Sequence, residues 1–217
     1  DKYEEAIACF NKAIGINPQY AEAWSNKGAA LDASGKHGEA ITSYDKAIEI
    51  NSKLADAWYN KGNALGKLGK HEDAITCYDK AIKINPQDAD AWNNKGNALG
   101  KLGKHEDAIT CYDKAIKINP QLAVAWSNKG VALGELGKHE ETITCYDKAI
   151  EIDPKFAEAR YNKGVVLLKT VDVEGASKAF AKAHEIDPNN YKYWVGWITA
   201  LYEEGELDRS LYICKKS

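Results

Sequence analysis

The sequence predicts an all-α protein, a solenoid of stacked antiparallel helix pairs. Three observations predict it. Prolines recur at a step of 34 residues, at Pro86, Pro120, Pro154 and Pro188, with Pro18 two steps before Pro86. Tryptophans keep the same step at Trp24, Trp58, Trp92 and Trp126; Arg160 takes the next mark and Trp194 resumes the series. Within each unit the apolar residues fall at helical spacing, with no alternating strand pattern. A period of this size marks a repeat architecture, so the one or two domains suggested by 217 residues do not apply.

Each unit reads as two helices. In the third, Ala89–Leu102 carries Trp92, Gly96, Leu99 and Leu102 as one apolar stripe. Gly103-Lys104 breaks the pattern, and Glu106–Ile118 resumes it with Ala108, Ile109, Tyr112, Ala115 and Ile116. Asn119-Pro120 ends the second helix, because proline pushes the preceding residue out of helical geometry. One such pair cannot bury both stripes, so neighbouring pairs must stack. Residues 55–87 match 89–121 at every position except Tyr59 against Asn93, a recent internal duplication.

The averages exclude several classes. Hydrophobic residues at 44% and charged residues at 28% are ordinary for a folded chain. A net charge of -3 argues against a nucleic-acid or anionic-membrane surface, which needs clustered basic residues. No apolar run approaches the length that spans a bilayer. The five cysteines are odd in number, and the column Cys77, Cys111 and Cys145, with Cys9 in phase, reads as small packing residues in a reducing, cytoplasmic compartment.

The unit Trp58-x2-Lys61-Gly62-x2-Leu65, then Ala74-x3-Tyr78, then Pro86, resembles the tetratricopeptide repeat (TPR), whose signature is Trp-x2-Leu-Gly-x2-Tyr, Ala-x3-Phe and Pro over 34 residues. Lys27, Lys61, Lys95, Lys129 and Lys163 replace the family leucine, and Leu31, Leu65, Leu99, Leu133 and Leu167 replace its tyrosine. The resemblance covers essentially all of residues 1–217 and implies one right-handed superhelix. Residues 3–17 read as the second helix of a truncated repeat. Full repeats follow at 21–52, 55–86, 89–120, 123–154 and 157–188, and 191–217 form a partial terminal repeat. A start in mid-repeat without any methionine reads as a fragment of a longer array. The fifth repeat departs at its turn, with Val171 where earlier units have glycine.

The small and large residues have packing roles: Gly62 and its equivalents bring paired helices together, Ala74, Tyr78 and Ala81 interdigitate, and Trp58 and its series fill the core. The resemblance implies that first helices line a concave surface where extended peptides lie. Asn26, Asn60, Asn94, Asn128 and Asn162 then form a ladder of amides, each able to donate and accept, as in family members that hold peptide backbones. The competing reading has these amides bonding to the next helix and fixing the stack. Asn63, Asn97, Tyr59, Tyr161, Asp56, Asp90, Lys67 and Lys101 complete the candidate peptide-binding face. Gly66, Gly100 and Gly134 either deepen that groove or mark close helix contact. The family's clamp for a peptide carboxyl terminus does not match, since Ser25, Tyr59, Asn93, Ser127 and Tyr161 occupy the column of its first lysine. Glu22, Asp56, Asp90 and Glu158 hint instead at a ligand of basic character, though acids in a first turn also complement the helix dipole.

No catalytic motif, cofactor signature or metal set is expected. His71 and Cys77 lie six residues apart on one helix and diverge, and the His37, His71, His105 and His139 column reads as capping or packing at the second helix. The function expected is a non-catalytic protein–protein interaction scaffold. The rival readings are self-assembly through exposed ends (Tyr3, Ile7, Phe10 and Ile14 at one, Leu211, Tyr212 and Ile213 at the other) and RNA binding, which the acidic balance opposes.

Overall fold

The computed structural model describes residues 2–206, so Leu211, Tyr212, Ile213 and the second helix of the terminal repeat lie outside the described residues. Among those described there are twelve α-helices and no strand. They are α1 (Lys2–Ile16), α2 (Ala21–Ala33), α3 (His37–Ile50), α4 (Ala55–Lys67), α5 (His71–Ile84), α6 (Ala89–Lys101), α7 (His105–Ile118), α8 (Ala123–Glu135), α9 (His139–Ile152), α10 (Ala157–Lys169), α11 (Val173–Ile186) and α12 (Tyr191–Glu203). The chain forms two compact units that meet in sequence between Ile118 and Asn119. In the first, α2 pairs with α3, α4 with α5 and α6 with α7, and each pair stacks on the next through α3 on α4 and α5 on α6. In the second, α8 pairs with α9, α10 with α11, and α12 packs on α11.

A three-residue turn joins the two helices of each pair, and its middle residue has positive φ: Gly35 at 82°, Gly69 at 75°, Gly103 at 73° and Gly137 at 73°. The lysine after each glycine then returns its N–H to the first helix, as Lys70 does to the carbonyl of Leu65 at 3.0 Å. Val171 takes this place in the fifth pair with φ 64°, where a β-branched side chain is strained. Asp172 offsets part of that by capping α11, its carboxylate accepting from the Gly175 N–H at 2.9 Å.

Inside each pair, the aromatic ring of the second helix lies directly on a glycine of the first. A Cβ at Gly62 would stand 2.7 Å from the Tyr78 ring, and Gly28, Gly96, Gly130 and Gly164 meet Tyr44, Tyr112, Tyr146 and Phe180 at 2.6–2.9 Å. Tyr44, Tyr78, Tyr112, Tyr146 and Phe180 are the large core residues, buried among Ala40, Ala74, Ala108 and their equivalents. Gly66 is different: a Cβ there meets only the Tyr78 hydroxyl at 3.9 Å, so no close helix contact demands it.

Trp24, Trp58, Trp92 and Trp126 are not enclosed in the core; Trp58, Trp92 and Trp126 pack against its clusters from the outside. They are half-buried at the joint between repeats, each indole N–H donating to a carbonyl six residues back: Trp24 to Pro18 at 3.0 Å, Trp58 to Ser52 at 3.1 Å, Trp92 to Pro86 at 3.2 Å and Trp126 to Pro120 at 3.1 Å. An indole needs a partner for its N–H, which keeps its edge at the wet boundary. Arg160 makes the same bond to the Pro154 carbonyl at 3.0 Å. The lysine in the family's leucine position covers the indole face, with Nζ 5.8 Å from the Trp58 ring for Lys61. It also reaches the previous repeat, pairing with Asp45 at 2.5 Å, as Lys95 does with Asp79 at 2.6 Å. At the start of the chain, Ile7 packs inward against Leu31, Ala40 and Tyr44, so the open face expected of α1 is smaller than its sequence implies.

Gly62→Ala is expected to lower stability by about 1–3 kcal/mol through overpacking on Tyr78, while Gly66→Ala, one turn along the same helix, raises it by up to about 1 kcal/mol through helix propensity. Urea denaturation of the two variants checks the opposite signs. Val171→Gly should add about 1 kcal/mol by removing the left-handed strain, measured the same way.

Candidate functional site

The face made by α2, α4 and α6 in the first unit holds two cavities. The first, about 330 Å³, lies at the helix starts and is lined by Glu22, Asn26, Asp56, Tyr59 and Asn60 with Ser25 and Leu54. Side chains two to six residues into each helix share this position because they fall on one helical stripe. Asn26 and Asn60 make no side-chain hydrogen bond to any described residue, so both amides are unspent. The second cavity, about 460 Å³, lies toward the helix ends, where Asn63, Lys67, Asn94, Asn97 and Lys101 gather with Asp32, Gly66, His71 and Tyr78.

The asparagine column is not uniform. The Asn94 amide donates to the Tyr59 hydroxyl at 3.0 Å and to the Asn63 carbonyl oxygen at 3.0 Å, while its own oxygen accepts from Asn93 at 3.1 Å. That residue is fully used inside the fold and joins α6 to α4. Asn128 also carries a partner. Asn162, in the second unit, makes no such bond. The column one turn on is fixed by the core: the Tyr78 hydroxyl donates to Asn63 at 2.8 Å and the Tyr112 hydroxyl to Asn97 at 2.9 Å. Those oxygens are therefore occupied, and the Asn97 amide nitrogen has no partner among the described residues. Burial pushes the Tyr78 and Tyr112 hydroxyls well above their ordinary pKa, so both remain donors. Burial also raises Tyr59, with the neighbouring amides of Asn63 and Asn94 working against it.

The second unit lacks this chemistry. Val131 and Val165 stand where Asn63 and Asn97 do, and Phe180 has no hydroxyl to offer. Tyr161 instead meets the rings of Phe180 and Tyr193 in tilted contacts, centroids 5.4 and 5.3 Å away. It lines a cavity of about 420 Å³ with Val165, Leu168, Lys169 and Val195, mostly apolar. On another side, where Arg160 replaces the tryptophan, a cavity of about 460 Å³ opens over Ile143, Ile150 and Leu167. Asp90 is exposed and lines neither cavity of the first unit.

Asp32, His71 and Tyr78 also line the second cavity; the sequence reads His71 as capping or packing and Tyr78 as core, and does not mark Asp32. Asp32 departs from its column, which otherwise holds Gly66, Gly100, Gly134 and Leu168. That departure was the available signal. Its carboxylate takes the His37 Nδ1 at 2.6 Å and the Lys67 ammonium at 2.6 Å. Among the described residues no three His, Cys, Asp or Glu side chains converge on a point that would hold a metal. Burial pushes the Cys77 and Cys111 thiols up to about 11, as expected of inert packing cysteines.

Family models for tetratricopeptide repeats match residues 55–88, 89–122 and 123–156, and related TPR models match 1–35, 30–69 and 145–176. The chain belongs to the tetratricopeptide-repeat family. Its TPR fold is shared with the solved structure of YrrB, a TPR protein with an unusual peptide-binding site, at 28% identity over 85% of this chain and 95% of that one (TM-score 0.68). MamA is 26% identical over 76% of this chain and 97% of its own (TM-score 0.69). Pseudomonas aeruginosa PilF shares the fold at 17% identity, covering 98% of this chain and 90% of its own (TM-score 0.78). No curated protein sequence matches the chain. TPR arrays are interaction modules for proteins and peptides as a family, and no helix among the described residues is long and apolar enough to cross a membrane.

The two kinds of TPR asparagine separate in stability. Asn94→Ala removes three part-buried hydrogen bonds, to Tyr59, Asn63 and Asn93, and should cost about 1–3 kcal/mol. Asn26→Ala should change stability by less than about 0.5 kcal/mol. Thermal or urea unfolding distinguishes them.

Proposed function

We propose that this TPR protein is a non-catalytic interaction scaffold whose first unit holds an extended peptide across α2, α4 and α6. The observation that carries the reading is the pair of unspent amides, Asn26 and Asn60, sharing one cavity with Tyr59, Glu22 and Asp56. A peptide backbone presents N–H and C=O groups in alternation, and a side-chain amide meets either. Tyr59 adds a flat, rigid surface of low entropy cost. Glu22 and Asp56 favour a basic ligand residue at that end of the groove. Likeness to YrrB, named as a peptide-binding TPR protein, supports the same reading. A net charge of -3 favours protein over nucleic acid as the partner. The free thiols Cys9, Cys77, Cys111 and Cys145 support a cytoplasmic setting.

The test is selection from a randomised peptide library, followed by affinity measurement of the enriched peptides on the wild type and on Asn26→Ala with Asn60→Ala. Neither residue bonds within the fold, so the variant should fold normally and bind about tenfold more weakly, the worth of one or two lost hydrogen bonds. Equal affinity would remove this cavity from the binding face.

A further inference from the structure

Asp32, at the end of α2, is held from two directions: His37 of the same repeat reaches one carboxylate oxygen at 2.6 Å, and Lys67 of the next repeat reaches the other at 2.6 Å. Moving every residue forward by the 34-residue period turns Asp32, His37 and Lys67 into Gly66, His71 and Lys101. The cation and the imidazole are kept; the carboxylate is missing. All three of these residues line the 460 Å³ cavity. The space is real at Gly66, where a Cβ would meet nothing nearer than the Tyr78 hydroxyl at 3.9 Å.

The other polar groups in the cavity turn the same way. Asn97 lies one turn before Lys101 on α6, and its oxygen is occupied by Tyr112, which leaves its amide N–H groups as donors. The Lys67 ammonium is already neutralised by Asp32, the one carboxylate lining the cavity. Lys101 has no acidic partner among the described residues. A second unit of the chain repeats the pattern, with Gly134, His139 and Lys169 at the matching positions. There the His139 Nδ1 is buried without a hydrogen-bond partner, the atom that on His37 meets the carboxylate. A buried polar atom with no partner is uncommon and calls for one.

We propose that the His71–Lys101–Asn97 cavity is a subsite for a carboxylate side chain, an aspartate or glutamate of the bound peptide, which occupies the place Asp32 holds one repeat earlier. This rests on the peptide-binding reading and deepens it. The groove then has a direction: Glu22 and Asp56 lie at the starts of α2 and α4, and Lys101 at the end of α6, so the peptide pairs a basic residue with the first cavity and an acidic one with the second. Charge-assisted donation from an ammonium and an amide is short and strong enough to set register.

Gly66→Asp supplies the missing carboxylate from the chain itself and is the test. The variant should fold, because Asp32 is tolerated at the same position and the site has room; circular dichroism confirms it. Peptides selected from a randomised library on the wild type should show a fixed acidic position, and replacing that residue by Asn or Gln should weaken binding about tenfold. On Gly66→Asp, and on Lys101→Gln, the acidic and amide peptides should bind alike, while the selected peptides keep the contribution of the Asn26 and Asn60 cavity. Peptides that bind with no acidic preference, or whose preference survives Gly66→Asp, overturn the subsite and leave the peptide-binding face standing. A folded protein that selects no peptide at all overturns both.

Discussion

An aromatic ring can lie flat on a helix only where that helix has no side chain, and this contact is what the rest of the molecule depends on. In five successive pairs a glycine in the middle of the first helix faces Tyr44, Tyr78, Tyr112, Tyr146 or Phe180 from the second. A Cβ in any of the five would fall inside 3.0 Å of the ring, so the glycine cannot gain a side chain while the ring keeps its place. The glycine gives up helix propensity, about 1 kcal/mol relative to alanine. Burial of a full aromatic side chain offsets that cost and sets the spacing of the pair.

The same contact reaches the functional face. A tyrosine ring seated on Gly62 passes its hydroxyl through to the groove side of α4, where it holds the Asn63 oxygen. Tyr112 does the same for Asn97. Core geometry thus decides which end of each groove amide is spent. Where the partner is Val131 or Val165, or the ring is Phe180, the link is absent and the surface is apolar. Repeats with helices of the same length carry different chemistry because one column of side chains differs.

Much of this was legible in the sequence. The period, the helix pairs, the close-approach role of Gly62 and its equivalents and the interhelical turns all follow from strict recurrence, and strict recurrence is what close packing enforces. Two readings needed coordinates. Trp58 and its series looked like core, yet in Trp24, Trp58, Trp92 and Trp126 the indole N–H holds the ring at the boundary beneath a lysine, while the Trp194 nitrogen is buried without a partner among the described residues. The asparagine column looked like a uniform ladder, yet Asn94 is consumed by Tyr59, Asn63 and Asn93 while Asn26 and Asn60 are not. Composition and spacing place a side chain on a face; they do not say which of its hydrogen-bonding groups is already engaged. That depends on partners some thirty residues away in sequence, as with Asn94 and Asn63.

Repeat proteins offer an internal control that single-copy folds lack. Positions under packing constraint cannot drift, since one added methyl group costs about 1–3 kcal/mol, whereas surface substitutions fall within about 0.5 kcal/mol. The near-identity of residues 55–87 and 89–121 therefore carries little information about recognition, because duplication copies both classes of position alike. Information sits where one copy departs from the rest: Asp32 among glycines, Tyr59 against Asn93, Val131 and Val165 after Asn63 and Asn97, Arg160 in the tryptophan series. In the first unit those departures converge on the two cavities of the α2–α4–α6 face.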